Sequence, residues 1–554
     1  MPTVLEIVQR LFPAGTRPAD EGSPSWTACP EWAPDIFAVA ATLVDRSGYY
    51  ATARCMFSNA DGPFGSQFQN HARIFGEQLR NGDPPSAPVE DLWKLVVSSS
   101  ARVENGEGPW LDAALSLLAI ADEACAGVGF VPDASAPLPN FVLGEYYQEL
   151  KREPRRLPHL PHSLCIQVDP GEAVVQPKAS TPEVGCTLRS LSRHLCLLPP
   201  IGEVRTTWRP ASTADDQSLG PLNLLVIPFP YRIDGSSFEA MTDAPPGVDP
   251  QKVGFFRLRH RWVPQGGAAR IADLLNELIR RGRDEVGRVH GVVVPEGALP
   301  LDDAREVAHR IAREGLELFI SGVSQSDERA RPRNEVYVSL FNAEGMALAE
   351  WRQSKHHRWR LDGSQIRRYH LGHELDPAKT WWELIDIGTR QCWFYVFRPG
   401  ASLAALVCED LARIDPVQTV IRSVGPSLVI ALLMDGPQLE RRWPGRYATV
   451  LADDPGSAVL TLTSLGMVRR SSMPGNEGPS PIALWKDPYG QAQELLLPRG
   501  AHALVLTLSA SRITGVTLDG RSDASKTVRL SLSGVREVRL THPDAWLDCG
   551  IAGW

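Results

Sequence analysis

The sequence predicts an α/β protein in which layered sheets lie under helices, preceded by a mostly helical N-terminal domain. From residue 221 onward, short apolar runs alternate with stretches whose apolar residues recur at helical spacing. The stretches 271–281 and 304–312 are apolar on one face only, so that face must pack against something. Apolar strands whose faces must be buried, together with helices that are apolar on one face, indicate a layered α/β architecture.

A chain of 554 residues is too long for a single hydrophobic core, so we expect several domains. Near the N-terminus, the stretches 31–44 and 110–125 have apolar residues at helical spacing, separated by breaks rich in Gly, Pro and Asp. The predicted units are a helical domain at 1–150, a linker with a small β-containing segment at 151–218, an α/β domain at 219–510, and a β-rich C-terminal extension at 511–554.

The composition indicates a globular protein without special partners. Apolar residues make up 43% of the chain and charged residues 22%. A net charge of -8 gives no electrostatic reason to expect a nucleic-acid surface. The nine cysteines include no CxxC pair, which favours reduced thiols and a cytoplasmic location over a disulfide framework. We expect neither a signal peptide nor a membrane span, since no stretch approaches about 18 apolar residues.

One apolar run ends abruptly in a cysteine. The run 403–407 reads as a buried strand, and Cys408 follows it directly. Asp415 and Pro416 have the composition of a helix start, and Gly425 stands where that helix should end. Cys408 is therefore predicted at the C-terminal tip of a strand, the edge at which α/β sheets bind ligands. The alternative is a buried, inert cysteine.

Two other strands are predicted to deliver a charged residue at their ends. The apolar run 291–295 ends in Glu296, and the alternating run 347–353 is followed by Lys355. Each residue also has an ordinary structural interpretation. Glu296 could be a helix-end acid, and Lys355 could protect an edge strand from aggregation.

Together these three residue types could cleave an amide or a nitrile. A thiolate is the nucleophile, but a free thiol with a pKa of about 8.5 is mostly protonated at neutral pH. Glu296 could accept that proton and return it to the leaving amine. Lys355 would favour the thiolate and then the tetrahedral intermediate, where one such donor is worth about 3–4 kcal/mol. A strand-tip position would expose the thiol of Cys408, and Lys355 would lower its pKa.

Glutamate, lysine and cysteine in this order, each at a strand end, resemble the nitrilase superfamily of carbon–nitrogen hydrolases over about residues 219–510. The resemblance implies an α-β-β-α nitrilase-like sandwich without a cofactor. It also implies hydrolysis of a non-peptide carbon–nitrogen bond through a thioester, in an amide more than a nitrile. Catalysis is assigned to Glu296, Lys355 and Cys408. The run Cys408-Glu409-Asp410 is similar to the glutamine-hydrolysing domain of NAD synthetases.

The same resemblance assigns three residues to substrate binding. The backbone N–H of Glu409 would be a second oxyanion donor, and Asp435 would line the pocket. Gln365, with Tyr369 and Gly372, keeps the spacing of the family's second glutamate but replaces the acid with an amide. Such an amide can orient the lysine or the substrate by hydrogen bonds, but it cannot transfer a proton.

The alternative function is a nitrilase-fold protein with weak or no turnover, acting as a binding or assembly module in a larger bacterial complex. The expected partners are a small-molecule amide or nitrile and a second copy of the chain, paired through the helix at about 416–424. Neither a membrane nor a nucleic acid is expected as a partner. The four histidines between 356 and 373 lack cysteine or carboxylate at ligand spacing, so we interpret them as structural and expect no metal.

Overall fold

The computed structural model describes residues 2–16, 24–48, 66–106, 108–130, 162–210, 219–241, 249–325, 332–472, 478–522, 527–541 and 547. Residues 151–161, where the predicted linker begins, lie outside this set. Within the described residues, no helix combines the length and the apolar character needed to cross a bilayer.

The N-terminal body is built from helices around their own core. Its helices in the described residues are α1 (Val4–Leu11), α2 (Ala33–Ser47), α3 (Ser66–Arg80), α4 (Ala87–Val97) and α5 (Pro109–Ala124). An antiparallel pair of short strands, β1 (Val174–Pro177) and β2 (Leu195–Leu198), adds to this body. Val175 and Leu195 share the helical core, because their side chains pack with those of Ile36 and Leu117. The segment from 162 to 198 is therefore packed onto the helices.

The α/β part of the chain contains the remaining strands. They are β3 (Arg205–Pro210), β4 (Leu222–Val226), β5 (Phe238–Ala240), β6 (Val253–Leu258), β7 (Gly291–Pro300), β8 (Leu318–Gln325), β9 (Arg333–Phe341), β10 (Ala347–Ser354), β11 (Arg360–Leu361), β12 (Thr380–Glu383), β13 (Gln391–Arg398), β14 (Ala401–Val407), β15 (Leu428–Leu433), β16 (Ala458–Thr463), β17 (Ser480–Lys486), β18 (Gln493–Leu497), β19 (Ala503–Ile513) and β20 (Thr527–Val538). The helices are α6 (Gly267–Val286), α7 (Leu301–Ile311), α8 (Gly363–Arg368), α9 (Thr419–Val424), α10 (Trp443–Asp453) and α11 (Leu465–Ser471).

Two seven-stranded sheets pack face to face between helices. The first has the order β10-β9-β8-β7-β4-β19-β20 and the second β18-β17-β16-β15-β14-β13-β3. Along β15, Ile430 and Leu432 face the first sheet, whereas Val429 and Ala431 face α9 and α10. Because both faces of β15 are buried, its sequence is a continuous apolar run. Helices α6 and α7 cover the other side of the first sheet. The predicted α-β-β-α sandwich after a helical N-terminal region is confirmed.

Both sheets extend beyond the predicted limits of 219 and 510. Strand β3 lies before residue 219, yet it pairs in parallel with β13 and forms the edge of the second sheet. Strand β20 lies in the predicted C-terminal extension and pairs with β19 from Ala503 to Ile513. The extension therefore completes the first sheet.

The connection between β19 and β20 returns to the N-terminal body. Arg521 in this connection donates to Asp122 Oδ2 at 2.9 Å, to Glu123 Oε1 at 3.0 Å and to Asp519 Oδ2 at 2.9 Å. Asp122 is fully buried on α5 and also accepts from the backbone N–H of His194 at 2.8 Å. This buried cluster fastens the helical body to the α/β sandwich.

Helix α9, predicted to pair two copies of the chain, is covered by the chain itself. The backbone N–H of Ala179 donates to Val424 O at 2.7 Å, next to β1. Arg189 also forms an ion pair at 2.7 Å with Asp454, which binds Arg422 of α9. Little of α9 beyond Thr419 is exposed. Homo-oligomerisation stays a prediction, and it would need another surface.

A four-stranded sheet, β11-β12-β6-β5, forms a cap with α8. The long connection after β4 supplies β5 and β6 of this cap. The cap has its own aromatic core, in which the rings of Phe256 and Trp359 lie 5.8 Å apart. Met434, which follows β15, packs into the same core, so the cap rests on the edge of the sandwich.

Candidate active site

Cys408 directly follows β14, as predicted from the sequence. It begins a short 3₁₀ turn, Cys408–Ala412, and has a φ of 46°. A positive φ is uncommon for any residue other than glycine and carries a conformational cost of about 1–3 kcal/mol. Such a cost at the C-terminal edge of a sheet is typical of a residue held in place for function.

Asp410 joins the cysteine turn to the lysine segment. Its two carboxylate oxygens both lie 3.1 Å from the backbone N–H of His356, and Oδ1 lies 3.0 Å from His357 Nδ1. The His356 ring in turn contacts the backbone of Gln391 through Nε2, at 2.8 Å from the carbonyl oxygen. Because Lys355 precedes His356, the Cys-x-Asp pattern holds the lysine beside Cys408. These two histidines have structural contacts.

Lys355 lies between two buried carboxylates. Its Nζ is 2.8 Å from Glu296 Oε1 and 2.8 Å from Glu383 Oε2. Only 1% of Lys355 and 1% of Glu296 is exposed. Burial alone would lower the pKa of Lys355, but the charges of Glu296, Glu383 and Cys408 outweigh burial and raise the pKa well above its usual value. The lysine is therefore a fixed ammonium ion.

Glu296 lies at an irregularity inside β7 and not at the end of a strand, where the sequence places it. The pairing of β7 with β8 shifts register between Val294 and Leu299. Gly297 has a φ of 59°, which favours glycine. Gly322 on β8 leaves room for this bulge, since a Cβ on it would lie 2.3 Å from Glu296 Cα. The bulge directs a carboxylate towards Lys355.

Glu383 is a site residue that sequence reasoning missed. It ends β12 of the cap, and its Oε2 accepts from the backbone N–H of Trp359 at 3.1 Å. Asn334 Nδ2 connects the two acids, at 2.8 Å from Glu296 Oε1 and 2.7 Å from Glu383 Oε1. A signal was available, because Glu383 ends a short aromatic strand just as Cys408 ends an aliphatic one.

Gln365 does not bind Lys355, which is one of the two roles that the sequence leaves open for it; orientation of the substrate stays a prediction. Gln365 lies in the first turn of α8, and its Oε1 accepts from the backbone N–H of Asp362 at 3.0 Å. Asp362 Oδ1 accepts from the backbone N–H of Gln365 at 2.9 Å, which completes a capping box. The second side chain that binds Lys355 is Glu383.

Asp435 follows β15 and holds three side chains by hydrogen bonds. Its Oδ1 accepts from Tyr369 Oη at 2.6 Å and from Arg442 Nη2 at 2.9 Å, and its Oδ2 accepts from Trp443 Nε1 at 3.0 Å. The Asp435 charge helps to raise the pKa of Cys408, after burial and Glu296. Asp435 therefore lies near the thiol, and its oxygens bind protein groups.

Glu409 places its side chain away from the buried cluster. Its Oε2 accepts from Arg413 Nη2 at 2.6 Å, and the side chain is partly exposed. What Glu409 can offer a substrate is therefore the backbone N–H that directly follows Cys408. Its role as the second oxyanion donor, which the resemblance implies, stays a prediction.

The Cys408 thiol is buried and neutral, which corrects the expectation of an exposed, acidic thiol. Only 3% of the residue is exposed. Burial and the Glu296 carboxylate raise the pKa of Cys408 well above its usual value, and Lys355 opposes them without cancelling them.

The Glu296 carboxylate is prepared to take up a proton. Burial raises the pKa of Glu296, and Glu383 adds to this effect, while Lys355 opposes it. Glu296 Oε2 has no hydrogen-bond partner among the residues that the structure describes. A buried polar atom without a partner needs an explanation, and a proton shuttle provides one.

No group of three or more His, Cys, Asp or Glu side chains in the described part of the chain could hold a metal ion. The candidate site brings together a thiol, a lysine, two glutamates and an asparagine.

Similarity to known proteins is limited to solved structures of low sequence identity. An amidase from Nesterenkonia sp. is 14% identical over 54% of this chain and 94% of the amidase, with a TM-score of 0.32. A carbon–nitrogen hydrolase from Helicobacter pylori is 10% identical over 52% of this chain and 89% of the hydrolase, also with a TM-score of 0.32.

A glutamine-dependent NAD+ synthetase from Acinetobacter baumannii is 11% identical over 52% of this chain, with a TM-score of 0.32. The match covers 45% of the synthetase, so this chain spans less than half of that protein. No family model matches the chain, and no curated protein matches it significantly.

Proposed function

We propose that the chain hydrolyses a non-peptide carbon–nitrogen bond, in an amide more than a nitrile, through a thioester on Cys408. The observation that carries this proposal is the position of Lys355 Nζ, 2.8 Å from both Glu296 and Glu383 and near Cys408, where its charge favours the thiolate that forms during attack. Burying such charges costs several kcal/mol. Buried groups with shifted pKa values beside a nucleophile are typical of active sites.

The first half of the reaction forms the thioester. Glu296 Oε2 accepts the proton from Cys408 Sγ while Sγ bonds to the carbonyl carbon of the amide. The carbonyl oxygen becomes an oxyanion. An ammonium group has three N–H donors, and Glu296 and Glu383 occupy two of those of Lys355. The third donor of Lys355 and the backbone N–H of Glu409 stabilise the oxyanion.

Collapse of the oxyanion with loss of the nitrogen completes the thioester, and hydrolysis then regenerates the enzyme. Glu296 gives its proton to the leaving nitrogen, the C–N bond breaks, and ammonia or an amine departs. Glu296 then takes a proton from water as the water oxygen bonds to the thioester carbon. The C–S bond breaks, the acid product leaves, and the proton returns to Sγ. Glu383 holds the lysine in place throughout.

The test combines ammonia release with trapping of the intermediate. Small aliphatic and aromatic amides are supplied to the full-length protein, and samples quenched in acid are digested for mass spectrometry. We expect ammonia release and an acyl group on the Cys408 peptide. Cys408→Ala should abolish both, and Glu296→Gln should slow turnover by about 10²–10⁴-fold. Cys186→Ala is the matched control, because Cys186 is a half-buried cysteine in the N-terminal body.

Wild-type rates in Cys408→Ala would contradict the proposal. The burial of Cys408 favours one alternative, a nitrilase-fold binding or assembly module without turnover. That alternative predicts no ammonia from any of the amides, no acyl group on Cys408, and a thiol whose replacement changes only packing.

A further inference from the structure

A cavity of about 300 Å³ lies between the connection that follows β4 and the segment that follows β6. Three aromatic side chains, those of Phe229, Tyr231 and Trp262, form part of its wall. Arg232, Asp234 and Arg261 are its charged residues. Binding sites for small molecules combine aromatic or other apolar walls with a few placed polar groups, and this cavity offers both.

The cavity lies at the same sheet edge as the candidate active site. Strands β4 and β7 are parallel neighbours, with Val226 beside Val293, so the connection after β4 leaves the sheet where Glu296 does. Trp262 Nε1 donates at 2.8 Å to the carbonyl oxygen of Ala298, two residues after Glu296. One wall of the cavity is thus hydrogen-bonded to the bulge that carries the proposed general base.

The charge around this cavity favours an anion. Arg261 is held by one hydrogen bond, from Nε to Ser236 O at 3.0 Å, and no carboxylate of the described residues forms an ion pair with it. Arg232 lies 3.0 Å from Asp234, so that acid is already paired. Arg261 therefore has guanidinium donors left for a ligand, and a guanidinium binds a carboxylate with two parallel hydrogen bonds.

We propose that this cavity binds the distal part of the substrate, an aromatic or other apolar group that carries a carboxylate, with Arg261 as the anion partner. Its role as a substrate site rests on the proposed hydrolase function, whereas its preference for an apolar anion does not. The aromatic walls accept the apolar body, and Arg261 at the exposed side accepts the charge.

The first experiment measures binding without turnover, by calorimetry on the full-length Cys408→Ala variant. The probes are phenylacetate, neutral phenylacetamide and cationic phenethylammonium. We expect phenylacetate to bind about tenfold more tightly than either, because only phenylacetate offers a carboxylate for a charge-assisted contact with Arg261. Adding Arg261→Gln should remove this preference, and adding Arg261→Glu should transfer it to phenethylammonium.

Arg280→Gln, which changes an exposed arginine of α6, is the control. Equal binding of the probes, or a preference that survives Arg261→Gln, would overturn the proposal.

The second experiment compares turnover of phenylacetamide and its para-carboxy derivative by the wild-type protein. We expect the derivative to have a KM about tenfold lower at similar kcat, and Arg261→Gln to remove that difference. Equal KM values, unchanged by Arg261→Gln, would overturn the substrate site and leave the proposed hydrolase function standing. If neither amide is hydrolysed but phenylacetate binds in an Arg261-dependent way, the anion site stands and the hydrolase function fails.

Discussion

Two buried clusters of charged side chains, one around Arg521 and one around Lys355, differ in how completely their carboxylates are paired. In the first cluster, both oxygens of Asp122, Glu123 and Asp519 accept hydrogen bonds from side chains or backbone. In the second cluster, Oε2 of Glu296 accepts none from the described residues. Both clusters are deeply buried, so solvent exposure does not distinguish them.

The pKa values of the carboxylates in the two clusters also differ. Burial alone would raise the pKa of Asp122, but Arg521 and His194 outweigh it and the pKa is lowered. For Glu296, burial and Glu383 outweigh Lys355 and the pKa is raised. A buried carboxylate with a low pKa fixes structure, whereas one with a raised pKa and an unpaired oxygen can exchange protons. The raised pKa and the unpaired oxygen therefore distinguish the candidate catalytic cluster from the structural one.

Replacing Lys355 should have the largest effect, because it affects both folding and turnover. Lys355→Met leaves two buried carboxylates without their cation, which should cost about 3–5 kcal/mol of unfolding free energy. It also removes an oxyanion donor, worth about 10²–10³-fold in kcat. Denaturant unfolding and ammonia release measure the two effects. A variant that retains wild-type turnover would contradict the assignment of Lys355 to catalysis.

Replacing Arg521 should affect stability alone. Arg521→Met leaves three buried acids without their shared partner, and we expect a loss of about 3–5 kcal/mol in unfolding free energy. At a temperature where the variant remains folded, its kcat should equal that of the wild-type protein. Arg536→Gln, on the exposed side of β20, is the control and should change neither quantity. A loss of kcat in folded Arg521→Met would mean that the two clusters are coupled.

Glu383→Gln should move the pH profile of turnover. Glu296 must be a carboxylate to accept the thiol proton, so kcat/KM should rise with pH through the pKa of Glu296. Because that pKa is raised, the acid limb should lie above the range of an ordinary glutamate. Glu383 contributes to the raised value, so Glu383→Gln should move the limb to lower pH while keeping an oxygen near Lys355. A limb that stays in place or moves upward would contradict this electrostatic coupling.

The parts of the site that the sequence predicted are those that interrupt strands. Cys408, Lys355 and Glu296 are visible because each breaks an apolar or alternating run with a chemically distinct residue. Glu383 follows the same rule but ends a short two-tryptophan strand of the cap. The thiol's burial could not be read from its strand, because it depends on what packs over that strand.

The two sheets include strands outside the predicted limits of the α/β part for a related reason. Strand β3 pairs with β13, far along the chain, and a short run that includes two threonines does not show which sheet it joins. Strand β20 pairs with β19, but the connection between the two strands also reaches the N-terminal body. Local patterns predict a strand, whereas its neighbours are set by long-range packing.

Gln365→Glu should have the smallest effect, and it tests whether the sequence spacing or the observed structure is the better guide to the role of residue 365. The family spacing predicts that restoring an acid here raises the turnover of simple amides. The structure predicts almost no change, because Gln365 closes the capping box of α8 and glutamate serves equally well at that position. We expect a change within about 0.5 kcal/mol in unfolding free energy and an equally small one in ΔG‡.

Gln353→Glu is the comparison variant, a glutamine-to-glutamate change at a buried position. Gln353 lies two residues before Lys355 and donates to Ala405 O at 3.0 Å. A severalfold gain in turnover from Gln365→Glu would show that α8 moves towards Lys355 during the reaction, and that the spacing was the better guide.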